Sequence, residues 1–270
     1  MSPHPAIFSR AELMLGSRSL DAISGVRVAI FGLGGVGSWC AESLVRTGVR
    51  QLMLVDSDRV SVTNVNRQLM ATTRTVGQVK VDVLAARLRE INPDVVLDVR
   101  PAVYCAATAP GFNLAKWDYV IDAIDSLENK ALLIRNALSF PSVTLFASMG
   151  AALKMDPFQI RHGEFSKVAG DPLARALRQK LRRTGGMPGR PFECVWSPER
   201  RENLGNAAAD AAGQCESGEG QGDPASAGRG WDSLKARING TVAHTTAIFG
   251  FALASLVISD IERRARQSAG

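Results

Sequence analysis

The run "VRVAIFGLGGVGSWCAESLVRTG", Val26 to Gly48, restricts the fold more than any other feature of the chain. An apolar stretch leads into a G-x-G-x-x-G turn carried by Gly32, Gly34 and Gly37, and a helical pattern follows. Strand, glycine turn and helix in that order open a doubly wound α/β fold. The first glycine allows the tight turn, the second lets backbone approach a phosphate, and the third lets helix pack on strand. The helix N-terminus then offers free N–H groups and partial positive charge to an anion. A plain tight turn is the alternative reading of the same glycines.

Further along, strands and helices alternate. A helix over residues 38–47 is closed by Gly48, where a left-handed cap is wanted. "QLMLV" (51–55) reads as the second strand. Residues 75–92 read as a helix: Val79, Val83, Leu84, Leu88 and Ile91 recur at helical spacing, and Asn92-Pro93 ends it. Strands are expected at 95–99, 118–122 and 142–147. This alternation predicts a mostly parallel, Rossmann-like sheet with helices on both faces and a C-terminal extension. Residues 1–25 read as an N-terminal helical arm and 26–165 as the nucleotide-binding core. After Gly150 the rhythm breaks. A basic helix starts at Asp171-Pro172, residues 201–233 are rich in Gly, Ala and Ser and read as a flexible loop, and a last helix spans about 241–266. Residues 166–270 are expected to belong to the same structural unit.

Some classes are set aside on composition. The four cysteines, Cys40, Cys105, Cys194 and Cys215, form no C-x-x-C pair, which argues against a cysteine zinc site or a disulfide framework. His4, His162 and His244 form no spaced metal set. The first 16 residues lack a charged region followed by an apolar core, so no signal peptide is read and a cytoplasmic setting is expected. Residues 241–258 are apolar over about a membrane-spanning length and a hydropathy scan flags them. His244, Gly250 and several threonines within that run favour a buried helix over membrane association. A net charge of +6 suits a polyanionic partner without requiring one.

Asp56 stands 19 residues beyond Gly37, at the end of the second strand, where a carboxylate can bond ribose hydroxyls. Glycine turn and Asp56 alone satisfy the fingerprint for NAD. The following stretch does not suit a dehydrogenase, because Asn64, Arg67, Gln68 and then Lys80 come next. Two cations are surplus for a diphosphate bridge and make sense for a triphosphate. Solvated surface charge is the alternative. "DYVIDAIDSLENK" sets Asp122 and Asp125 at the carboxyl end of a later strand. An aspartate there can hold Mg²⁺ between phosphate oxygens or simply cap the next helix, and Asp122, nearer the strand, reads as structural.

Glycine turn, D-x-D, N-x-x-R-Q, V-G-x-x-K and D-x-x-D follow one another here as in the ubiquitin-activating enzyme superfamily, which the chain resembles over residues 10–165 and its last 35 residues. That resemblance implies ATP and adenylation of a carboxylate. It implies a nucleotide set of Gly32, Gly34, Gly35, Gly37, Asp56, Asn64, Arg67, Gln68 and Lys80, with Asp56 on the ribose and the cations on phosphates. It makes Asp125 the magnesium-binding catalytic aspartate, acting with Arg67 and Lys80. Arg10 matches an arginine that dimers of this superfamily lend to the neighbouring subunit's ATP, or it is an exposed arginine on the arm.

"VTNVNRQ", "VIDAIDS", "DPLARALRQKLR" and "CVWSPE" are similar to the branch of tRNA threonylcarbamoyladenosine dehydratases. An ATP-dependent dehydratase that cyclises threonylcarbamoyladenosine in tRNA is therefore expected, as a homodimer, with a sulfur-relay protein as a further possible partner. An adenylyltransferase for a ubiquitin-like sulfur carrier is the alternative. Some dehydratases carry a cysteine before the last helix. Here Lys235 stands nearest that position, so no thiol role carries over, and Cys215 reads as a bystander. Arg175, Arg178, Lys180, Arg182, Arg183 and Arg190 either contact tRNA phosphates or form a solvated face.

Overall fold

The computed structural model describes residues 4–205 and 239–267. Three parallel strands come first on one side of the chain's starting point: β1 (Arg27–Phe31), β2 (Gln51–Val55) and β3 (Val96–Arg100). The chain then crosses to the other side of β1 and lays down β4 (Tyr119–Asp122) and β5 (Thr144–Ser148). Two late strands complete the sheet, β6 (Arg161–Glu164) and β7 (Glu193–Trp196), in the order β3-β2-β1-β4-β5-β7-β6. Every pairing is parallel except β6 with β7.

The central strands are apolar throughout because both faces are covered. Val28, Ile30, Leu52 and Leu54 enter a core with α2 (Ser17–Gly25), α3 (Gly37–Arg46), α4 (Lys80–Ile91) and α7 (Ala243–Gln267). Ala29, Phe31, Met53 and Val55 point the other way, against α5 (Leu127–Leu138) and α6 (Pro172–Arg183). A short α1 (Ser9–Leu15) precedes α2. The doubly wound α/β expectation is met.

Sequence boundaries needed two corrections. The helix expected from residue 75 starts only at Lys80, because Val60 and the Gly77–Gln78 turn exchange backbone hydrogen bonds and Arg59 bridges Val79. The strands β6 and β7 lay within the stretch where the alternation was read as broken. β6 has the sequence RHGE and is half exposed, so it carries no apolar alternation to detect. The apolar run after residue 241 is α7. It is long and apolar enough to cross a membrane, but half of that window is buried against the protein's own core. Most of the 201–233 stretch, with Cys215 and Lys235, lies outside the described residues.

Candidate functional site

β1 lies between β2 and β4, so strand order reverses there and a crevice forms at the carboxyl ends of the two halves. The glycine turn follows β1 into that crevice. Gly32 has φ +87°, donates its N–H to the Val55 carbonyl at 2.9 Å, and sits where a Cβ would lie 2.6 Å from the Ala123 carbonyl oxygen. A Cβ on Gly37 would lie 1.9 Å from the Gly32 oxygen. No side chain fits at either position. For Gly34 the nearest atom is Gln68 Nε2, at 3.9 Å, and Gly35 is packed between Thr246 and the Arg67 side chain.

Asp56 follows β2. Its Oδ2 accepts the Leu33 N–H at 2.7 Å and its Oδ1 accepts the Asp58 N–H at 2.9 Å. Burial pushes its carboxyl upward, while Lys80 and these two N–H groups oppose the shift. Lys80, buried at the start of α4, places Nζ 2.8 Å from Asp58 Oδ2 and 3.9 Å from Asp56 Oδ1. The D-x-D pair and Lys80 thus form one charge cluster against the glycine turn.

The segment after Asp58 is hung on α3. Ser61 and Asn64 cap a short 3₁₀ turn reciprocally, burying Asn64. Trp39 Nε1 donates to the Arg67 carbonyl at 3.0 Å, and Ser38 Oγ joins the Gly34 carbonyl to the Leu69 N–H. The Arg67 guanidinium donates to Thr63 O and Asn66 Oδ1. Burial lowers its pKa, and the Asp125 carboxylate opposes that shift. Gln68 is buried with no partner for Oε1 among the described residues.

Asp125 is exposed, and Ser126, not Asp125, is the N-cap residue of α5. Asp122 is fully buried and paired with Lys130, in keeping with its structural reading. Arg10 lies exposed on α1, away from the glycine turn in sequence and beside Ile7, Leu13 and Met14, which are also exposed.

Neighbouring segments are tied together by residues that carry no motif. Asn66 donates to the Thr241 carbonyl, and the Leu153 N–H donates to Gly240. Buried Lys154 donates to the carbonyls of Ser197 and Glu199. Thr246, Lys154 and Lys130 stand in no recognised motif, so nothing in the sequence marked them. Asp58 belongs to the D-x-D that was read, and its contact with Lys80 could have been anticipated.

In the basic segment, Arg175 to Arg183 lie on α6 and Arg190 follows it, and the six cations are not equivalent. Arg178 lies over the Phe165 ring, Lys180 pairs with Glu128, and Arg190 donates to the carbonyls of Phe140 and Val143. Arg175, Arg182 and Arg183 are exposed.

Chemically, the crevice offers a glycine turn at a helix N-terminus, a ribose-type carboxylate and two cations, with the exposed Asp125 carboxylate just beyond the carboxyl end of β4. Magnesium takes one or two carboxylates plus phosphate oxygens, which Asp125 fits. No group of three or more metal-ligating side chains occurs among the described residues. Fold and crevice together define a doubly wound α/β protein with a nucleotide-type cradle at its switch point.

The particular family follows from comparison with known proteins. The chain matches the ThiF family over residues 8–268 and belongs to that family. It is 44% identical over 178 residues to the tRNA threonylcarbamoyladenosine dehydratase of Bacillus subtilis, covering 66% of this chain and 70% of that protein. To the Escherichia coli enzyme of the same name it is 36% identical over 201 residues, covering 71% and 73%. The crystal structure of the E. coli tRNA N6-threonylcarbamoyladenosine dehydratase in complex with ATP superposes with a TM-score of 0.78 at 30% identity, covering 96% of this chain and 95% of that one.

Proposed function

We propose that this protein is an ATP-dependent dehydratase that cyclises threonylcarbamoyladenosine in tRNA. One observation carries the reading: two cations flank the glycine turn, Arg67 with its side chain packed on Gly35 and Lys80 beside Asp56. A dinucleotide's diphosphate bridge has no use for that pair, whereas a triphosphate with its metal does. The likeness to dehydratases over most of both chains supports the same reading.

In the proposed site the glycine turn and the N-terminus of α3 receive phosphate oxygens, and Asp56 receives the ribose. Gln68, whose Nε2 is the atom nearest Gly34, would donate to a nucleotide oxygen at the turn. Arg67 and Lys80 neutralise the phosphates, Lys80 by leaving Asp58. Asp125 would hold Mg²⁺, whose contribution is to neutralise charge on the phosphate oxygens. A threonyl carboxylate oxygen attacks the α-phosphorus, and the bond to pyrophosphate breaks. The tethered carbamoyl group then attacks the activated carbonyl carbon, AMP leaves with the C–O bonding pair, and one water has been lost overall. Tethering supplies high effective molarity, so no covalent enzyme intermediate is needed.

The tRNA partner is supported by exposed Arg175, Arg182 and Arg183, and a cytoplasmic setting goes with that substrate. A homodimer in which Arg10 reaches the partner subunit's nucleotide is supported by the exposed Leu13 and Met14 at 81% and 84%. Nucleoside mass spectrometry of tRNA treated with protein, ATP and Mg²⁺ tests the function. Loss of one water from threonylcarbamoyladenosine, dependent on ATP, is expected. Unchanged nucleoside with intact ATP refutes it.

A further inference from the structure

Beneath the D-x-x-D turn lies a charge pair that takes no part in the steps above. Lys130 Nζ is 2.9 Å from Asp122 Oδ2, and neither side chain has any solvent exposure. The same ammonium donates to the Ile124 carbonyl at 3.0 Å, and the Ile124 N–H donates to Asp122 Oδ1 at 3.1 Å. Both backbone polar groups of Ile124, the residue before Asp125, are thus held by the pair. Lys130 can do this because helical side chains lean toward the helix N-terminus. It sits in the first turns of α5, its own N–H bonded to Ser126 O at 2.9 Å, so its ammonium runs back beneath the turn from which the helix starts. From above, Ala123 is fixed as well: its N–H donates to Phe31 O at 2.8 Å, and its carbonyl abuts Gly32.

Stability does not explain the pair. Buried ion pairs are costly to desolvate, and apolar side chains of similar volume often replace them without loss. What apolar groups cannot do is bind both the N–H and the carbonyl of Ile124. Asp125 follows Ile124 directly, so the backbone path on which it stands is set where these two hydrogen bonds fix Ile124.

We propose that Lys130, acting with Asp122, is a positioning residue that holds the Ile124 peptide groups so that Asp125 is presented to the nucleotide cradle in one conformation. This inference rests on the reading of Asp125 as the catalytic carboxylate.

The test is the apolar double variant Asp122→Leu/Lys130→Met, assayed for AMP release on tRNA carrying threonylcarbamoyladenosine. Expected are a melting temperature close to that of the unsubstituted protein, KM for ATP within about threefold, and kcat lower by about 10- to 100-fold, the scale of an ångström-level misplacement. The Mg²⁺ concentration for half-maximal rate should rise. Combined with Asp125→Ala, the double variant should be no slower than Asp125→Ala alone, because both act through one group. Should the double variant not fold, Asp122→Asn/Lys130→Met, which leaves no unpaired charge and deprives only the Ile124 carbonyl of its donor, is read the same way. A folded variant with unchanged kcat, or losses that multiply with Asp125→Ala, overturns the inference. Full activity in Asp125→Ala overturns the site reading and this inference with it. An inactive Asp125→Ala beside a fully active double variant overturns the inference alone.

Discussion

Gly250→Ala should destabilise this protein, although alanine is the better helix former. In an exposed helix the exchange would stabilise by about 1 kcal/mol. Here α7 crosses α3 at Gly250, and a Cβ would lie 2.5 Å from Val36 O, 2.8 Å from Trp39 Cβ and 2.9 Å from Cys40 N. Ordinary contact between such atoms begins near about 3.5 Å, so the overlap is roughly 0.6–1 Å. Two of the three atoms are backbone, joined by the Cys40 N–Val36 O hydrogen bond of α3 at 3.1 Å, and cannot step aside singly. The two helices must separate instead. Overpacking costs about 1–3 kcal/mol, and three simultaneous overlaps put this site in the upper half of that range. After the propensity gain, a net loss of about 1–2 kcal/mol remains. At about 2–4 °C per kcal/mol for a chain of this size, the melting temperature should fall by about 2–8 °C. The same movement reaches the site, since Thr246 is one helical turn before Gly250 and packs on Gly35. ATP affinity should therefore fall with stability. Scanning calorimetry and ATP titration check both effects, and Gly250→Val should be worse on each. A melting temperature equal to or above that of the unsubstituted protein would refute the close helix crossing and the link built on it.

Arg67→Ala should raise KM for ATP by about tenfold or more, since a charge-assisted contact is worth about 1.5–3 kcal/mol, and should leave the melting temperature nearly unchanged; an unaltered KM would remove Arg67 from the phosphate site. Replacing Arg175, Arg182 and Arg183 by alanine should weaken tRNA binding and lower the slope of log affinity against log salt by about 2–3, measured by filter binding at several salt concentrations. An unchanged slope would locate tRNA elsewhere. Glu42, buried between Arg87 and Arg46, is raised by burial but lowered more by its two arginines, so its net shift is downward. Its stabilising contribution is complete above the unfolded value near about 4.3 and disappears as pH falls through the lower folded value. The stability gap between the protein and Glu42→Gln should therefore be constant at neutral pH and close below about pH 4 in thermal melts; a gap that persists in acid would show that the charge is not its source.

Much of the architecture was legible because it is local. The apolar runs at 27–31 and 51–55, the helical spacing in 80–91 and the Asn92-Pro93 stop each reflect a backbone period that side chains report directly. β6 was illegible, since a short polar edge strand has no buried face to advertise. The candidate site was legible as far as its parts are carried by motifs. Gly32, Asp56, Arg67, Lys80 and Asp125 stood out because their spacing matches a recurring chemistry.

Residues acting through space alone stayed hidden. Nothing marked Lys130 until the fold buried it against Asp122, and Gly250 spoke only for a buried helix until α3 arrived beside it. The sequence by itself determined a doubly wound sheet with a glycine turn at its first strand, because periodicity and turn chemistry depend on near neighbours. Tertiary structure alone decided that Lys80 meets Asp58, that Arg67 packs on Gly35, and that the last helix closes on the same glycine. Those contacts join segments far apart in the chain, and their energies exist only once the strands have ordered and the loops have been brought to one edge of the sheet.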